Sequence, residues 1–155
     1  MTAIDRGNIT TMEYEGQRIE LSFGVIVDGP TKRHVSDSRT LIEVIKHPKL
    51  RKLLGKVEQV NHLIMPQEVT GGNHLHDKRE LFYVLHGNPI FYCADPNTRE
   101  VYEFPLKETM IFFIPSGVPH AIRNPNIENA ELLELSDTFF NDNNPIISTQ
   151  YKIIS

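Results

Sequence analysis

GNHLHDKRELFYVLHG, residues 72–87, sets two histidines and a glutamate in front of a dense apolar run. His74 and His76 are two apart, so on an extended strand both imidazoles leave the same face. Glu80 lies an even number of residues further on, and a strand-turn-strand path would bring its carboxylate back beside them. Two neutral nitrogens and a carboxylate converging on a point make a ligand shell for a divalent transition metal. A fourth ligand must come from elsewhere, and PSGVPHAIRN, residues 115–124, offers His120 behind a Pro-Gly turn and at the start of an apolar strand. By itself a His-x-His pair is also what two polar side chains on a solvated sheet face would give.

The combination is more specific than the pair. His74, His76, Glu80 and Gly87, then Pro115, Gly117, His120 and Asn124, follow the order and spacing of the two motifs of the cupin superfamily. One motif reads HxH, three or four residues, Glu, six residues, Gly; the other reads PxG, two residues, His, three residues, Asn. The sequence therefore resembles a cupin across residues 57–140. The resemblance implies an all-β fold, an antiparallel double-stranded β-helix or jelly-roll barrel. It also implies one divalent metal (zinc, iron, manganese or nickel) on His74, His76, Glu80 and His120. Each family motif usually opens with a glycine, and those positions here are Glu68 and Thr109. Both are turn positions, so the departures bear on turn geometry, for which Gly71 and Gly72 offer backbone freedom.

Length and apolar content suit one domain, 1–155, with a sizeable core. Its expected parts are an arm at 1–17, peripheral strands and a short helix at 18–56, the barrel at 57–140 and a tail at 141–155. Net charge is −4, with acidic and basic residues interspersed and no basic stripe, which argues against nucleic acid or a membrane surface as partner. No apolar run approaches the ~20 residues of a membrane span. The polar N-terminus has no signal core, so a cytoplasmic location is expected. Cys93 is the only cysteine and sits in PIFYCA as a small buried hydrophobe.

Along the chain, RIELSFGVIV (18–27) alternates and reads as one strand, and HPKLRKLL (47–54) as a short helix opened by Pro48. From Val57 short strands follow at 57–65, 73–77, 80–86, 89–94, 99–104, 109–114, 119–124 and 130–136, with turn chemistry at Gly87-Asn88-Pro89 and Asp95-Pro96-Asn97. Alternation puts Glu80, Phe82 and Val84 on one face, Leu81, Tyr83 and Leu85 on the other, and His120 with Ile122 and Asn124. Phe82 and Ile122 are thus either pocket walls or barrel packing. His86 is expected at the surface, and His62 is able to point either way. Lys78 and Arg79 read as solvated charges, or as partners of an anionic ligand at the barrel mouth.

Cupins span isomerases, epimerases, dioxygenases, decarboxylases and plain binders, so the fold assigns no reaction. DSRTLIEVI (37–45), the lead-in VEQVNHLIMPQEVTGGNHLH (57–76) and the tail TFFNDNNPIISTQYKII resemble cupins acting on nucleotide-linked sugars. That similarity implies a keto-sugar isomerase or epimerase of polysaccharide-precursor synthesis, with a small saccharide as substrate. Arg39 becomes a substrate-binding candidate, and His74, His76 and Tyr83 (or Tyr92) candidates for moving protons. Those enzymes usually carry Arg-Gly before the histidine motif, where this chain has Gly71-Gly72. A diphosphate would then depend on Arg39, Lys78, Arg79 or Arg123. The alternatives are a non-haem iron dioxygenase using the same shell and a non-catalytic sugar-binding module. A homodimer is expected, built by covering the strand at 18–27.

Overall fold

The computed structural model describes residues 9–14, 16–29, 33–36, 39–42, 44, 48–139 and 148–154. Asp37, Glu43 and residues 140–147 of the tail that carries the sugar-enzyme resemblance lie outside these residues. In chain order the strands are β1 (Ile9–Thr11), β2 (Ile19–Glu20), β3 (Ile26–Asp28), β4 (Arg33–Ser36) and β5 (Arg39–Ile42). The helix α1 (Pro48–Leu54) follows, then β6 (Gln59–Met65), β7 (Thr70–His76), β8 (Glu80–His86), β9 (Ile90–Ala94) and β10 (Val101–Pro105). β11 (Ile111–Ile114), β12 (His120–Arg123), β13 (Ala130–Ser136) and β14 (Ser148–Gln150) complete the chain. The expected jelly roll forms. One six-stranded sheet runs β1-β10-β9-β12-β7-β14 and the other β2-β3-β11-β8-β13-β6, while β4 and β5 make a separate ribbon.

Residues 81–84 of β8, LFYV, are all apolar or aromatic because both faces of the strand are covered there. Phe82 and Val84 enter the space between the sheets, where Phe82 stacks on Phe112 at 4.8 Å and Phe112 on Phe91 at 4.0 Å. Leu81 and Tyr83 enter a second apolar layer with Ile111 and Phe113, outside the sheet and under Leu50 and Leu54 of α1. A strand covered on both faces reads as a continuous apolar run. Each such side chain contributes about 1.5–3 kcal/mol on burial. α1 opens on Pro48 and closes at Gly55, whose positive φ of 71° suits a C-terminal cap and whose N–H donates to the Arg51 carbonyl.

One expectation needs correction. Residues 18–27 form a hairpin rather than one strand: Gly24 turns at φ 89°, its N–H donates to Leu21 O, and β2 folds back on β3. β3 is itself paired with β11 as well as with β2, so among the described residues β2 and not the whole of 18–27 ends that sheet, where the homodimer was expected to form. Part of the N-terminal arm is a strand, with Ile9–Thr11 running parallel to Val101–Glu103. The C-terminal segment returns to the barrel, where β14 pairs with β7 and Ile153 is buried against Tyr92 and Ala121. Asn73 pins that return: its side chain donates to Ile154 O and accepts from the N–H groups of Ile153 and Ile154.

Candidate metal centre and cleft

The histidines come together because β7 and β12 are neighbours. The register sets His120 opposite His74, and a shift follows between His120 and Ala121. Gly72 permits the approach. It has φ 85°, and a Cβ there would lie 2.9 Å from the His120 carbonyl oxygen. His76 follows on the same face, and residues 77–79 carry the chain across to the other sheet, where Glu80 opens β8. The three imidazole centroids lie 4.8–5.0 Å apart, and their donor atoms fall within 4.8 Å of one another. Glu80 Oε2 lies 2.9 Å from His76 Nε2 and 3.3 Å from His120 Nε2.

The protonation pattern is constrained. His120 Nδ1 lies 2.9 Å from the Val118 carbonyl, which can only accept, so Nδ1 carries the hydrogen. In the neutral ring Nε2 then presents a lone pair toward the Glu80 carboxylate. Both ring nitrogens of His76 and Glu80 Oε2 are buried without a hydrogen-bond partner. The His76–Glu80 distance is short enough for an ion pair, but the two groups are not aligned as donor and acceptor. His74 is pushed down to about 4, first by burial and then by the neighbouring His120 and His76, so it is neutral at physiological pH. Burial alone would raise the Glu80 carboxyl, but His120 and His76 outweigh it and hold it well below the usual range. Three imidazoles, an ionised carboxylate and buried ring nitrogens without a hydrogen-bond partner around one point fit a divalent cation.

Beside this centre lies a cleft of about 280 Å³ lined by Gln59, Asn61, His74, His76, Lys78, Glu134 and Ser148, close to the smallest of typical small-molecule sites (about 300 Å³). Lys78 is not the solvated charge expected. Its side chain is 13% exposed, with Nζ 2.5 Å from Glu80 Oε1 and 2.8 Å from Glu134 Oε1. Burial, then the nearby Glu80, raise the Glu134 carboxyl, which also accepts from Asn61 Nδ2 at 3.3 Å.

Of the other sequence candidates, several sit elsewhere. Tyr83, expected to move a proton, faces the layer under α1, because it is an odd number of residues from Glu80. Tyr92 likewise packs outside the other sheet, with burial and Glu103 pushing its hydroxyl up to about 12. Phe82 and Ile122 share the histidines' face but are buried in the core rather than lining the cleft. Arg39 opens β5 opposite Ser36, and its side chain lies outside the described residues. His62 is turned outward to Glu131, and His86 to Glu108. Arg79 is held by Asp137 and the Leu53 carbonyl, Arg123 by Glu68. Asn124 closes the barrel end by donating to Met65 O and Glu128 O.

The sequence reading missed Gln59, Asn61, Glu134 and Ser148. Alternation carried a signal for three of them: Gln59 and Asn61 share a face with the core residues Leu63 and Met65, and Glu134 with Ala130 and Leu132. Ser148 carried none, since its place depends on β14 pairing with β7.

Residues 61–136 match the family described as the cupin domain. Solved structures of similar fold include the dTDP-4-dehydrorhamnose 3,5-epimerase of Elizabethkingia anophelis. It is 18% identical with a TM-score of 0.65, over 82% of this chain and 76% of that one. The 3'-monoepimerase ChmJ of Streptomyces bikiniensis, in complex with dTDP-quinovose, is 14% identical with a TM-score of 0.67, over 79% of this chain and 68% of that one. The capsular polysaccharide assembling protein CapF of Staphylococcus aureus is 25% identical with a TM-score of 0.58. There 81% of this chain aligns with 34% of that one, so the chain spans about a third of CapF. The two epimerase likenesses show a shared fold. No curated protein sequence matches the chain.

Proposed function

Residues 61–136 are a cupin domain, and from that premise we propose that the chain binds one divalent transition metal and acts as an isomerase or epimerase on a keto sugar. The observation that carries the reading is the set of buried, unpartnered lone pairs on His76 and Glu80 Oε2, facing His120 Nε2. His74, His76, His120 and Glu80 would hold the ion. Bound there, it supplies Lewis acidity toward a carbonyl oxygen and so acidifies the adjacent C–H.

The chain's own groups then supply the proton traffic. Glu134 lies in the cleft, and burial and then Glu80 raise its carboxyl above the usual carboxylate value, which makes it a better proton acceptor than an exposed carboxylate. Its carboxylate removes the proton from the carbon beside the carbonyl, and its carboxylic acid returns that proton to the former carbonyl carbon while the hydroxyl proton passes to the former carbonyl oxygen, which isomerises the sugar. Inversion at the first carbon would instead take a proton from water on the opposite face. Lys78 holds Glu134 in place through the 2.8 Å contact. Asn61 and Ser148 face the same space and can orient sugar hydroxyls. The epimerase neighbours support a saccharide as the ligand class.

The test is deuterium exchange, followed by NMR, of the metal-loaded protein with keto sugars in deuterated water, beside elemental analysis. Wild type should hold one equivalent of metal and exchange a ring or chain proton next to the carbonyl. Glu134→Gln should keep the metal and lose the exchange. No metal after reconstitution, or oxygen uptake in place of exchange, overturns the reading.

A further inference from the structure

Among the described side chains, the cations around the cleft are already spent. Lys78 lies against two carboxylates, at 2.5 Å from Glu80 and 2.8 Å from Glu134. Arg79 donates to both oxygens of Asp137, through Nε and its backbone N–H, and to Leu53 O. Arg123, an odd number of residues from the inward-facing His120 and Ile122, projects from the outer face of its sheet and pairs with Glu68. A diphosphate needs convergent N–H donors and positive charge. The described residues here instead bring the Glu134 carboxylate to the place where such a group would sit. The remaining cleft side chains, Asn61 and Ser148 among them, are uncharged groups that match sugar hydroxyls as donors and acceptors. The space, about 280 Å³, accepts one hexose-sized molecule.

We infer that the substrate is a free, uncharged monosaccharide, carried on neither a nucleotide nor a phosphate. The inference rests on the keto-sugar reading of the same site and narrows it. Recognition is by hydroxyl contacts to Asn61 and Ser148 beside the metal centre, so affinity does not depend on ionic strength.

Binding to the metal-loaded full chain is measured by saturation-transfer NMR and calorimetry at low and high salt. The probes are a free ketohexose, its 6-phosphate and a dTDP-linked 4-keto-6-deoxyhexose. The free sugar should bind at least as tightly as the other two, with no salt dependence. Asn61→Leu should weaken it about tenfold, the cost of losing a hydrogen bond of about 1.4 kcal/mol, without changing metal content. Ser148→Val, an exposed edge position, gives an independent second variant. Tighter, salt-sensitive binding of the phosphate or the nucleotide sugar overturns this inference and leaves the proposed reaction standing. Binding of the free sugar with no proton exchange supports the inference and removes the isomerase reading. Failure of all three probes to bind overturns both.

Discussion

Lys78 lies 2.5 Å from the Glu80 oxygen that faces away from the histidines, so one residue of the candidate ligand set is fixed by a charge outside it. The same ammonium reaches Glu134 on β13, which makes it the link between the metal centre and the proposed proton carrier. Burial would lower the lysine, but the two carboxylates outweigh it and raise it. Lys78→Met would leave two carboxylates close together without a counter-charge. Breaking a buried pair from one side costs about 3 kcal/mol, so the urea midpoint of this variant should fall clearly. Lys78→Met combined with Glu134→Gln should recover part of the loss. Equal losses in the single and double variants would show that the contact is not coupled.

Metal binding should be visible as stability. An ion held by the folded chain at a hundred times its dissociation constant adds about 2.7 kcal/mol. For a chain of this size that raises Tm by roughly 5–10 °C. His76→Ala and Glu80→Ala should remove the shift. An unchanged wild-type Tm across zinc, iron, manganese and nickel would end the metal claim.

The strands, their faces and the approach of His74, His76, Glu80 and His120 were legible in the sequence because they depend on local alternation and fixed spacing. Tyr83 was legible too: its odd separation from Glu80 already sent it to the opposite face. What failed depends on long-range pairing. Lys78 looked solvated because its partner Glu134 lies on another strand, brought near by the β13–β8 register that pairs Glu134 with Phe82. Ser148 reaches the cleft only through pairing with His76. The break in 18–27 was local but masked, since Gly24 falls inside an unbroken alternating pattern and shows itself only through its φ of 89°.

Stability of the metal-free protein should fall in mild acid. A histidine in the unfolded chain titrates near 6.5, whereas His74 in the fold is held down to about 4 by burial and by its histidine neighbours. Between those values the unfolded chain carries the extra proton, so stability decreases as pH falls from 6.5 toward 4 and is flat above. His74 is half-buried, and solvent screening reduces its share to about 1–2 kcal/mol. The check is the urea midpoint in EDTA at pH 7.5 and pH 5, a range chosen above the titration of Glu80. His74→Gln should flatten the difference, and an unaltered slope would refute the assignment.

Two turn positions, Glu68 and Thr109, stand where the cupin motifs usually open with glycine. Glu68 and Thr109 adopt φ 60° and 68°, the left-handed region, so the backbone keeps the turn while the side chain does not suit it. An L-residue there costs about 1 kcal/mol or more, and a β-branched one is a marked outlier. Thr109 is held in place by its surroundings. Its N–H donates to Val84 O, and the turn closes by a bond from Met110 N–H to Lys107 O. Its carbonyl also abuts Gly29, where an added Cβ would lie 3.0 Å away, so the turn packs against a position with no room for a side chain. Thr109→Gly relieves the strain but gives the unfolded chain more freedom, so the net gain is about 0.5–1 kcal/mol. Glu68→Gly gains less, because it also removes an exposed ion pair with Arg123, itself worth at most about 1 kcal/mol. Urea unfolding of both variants measures this directly, with m unchanged and the midpoint raised more by Thr109→Gly. A lowered midpoint for Thr109→Gly would mean that the threonine side chain contributes packing that outweighs its backbone strain.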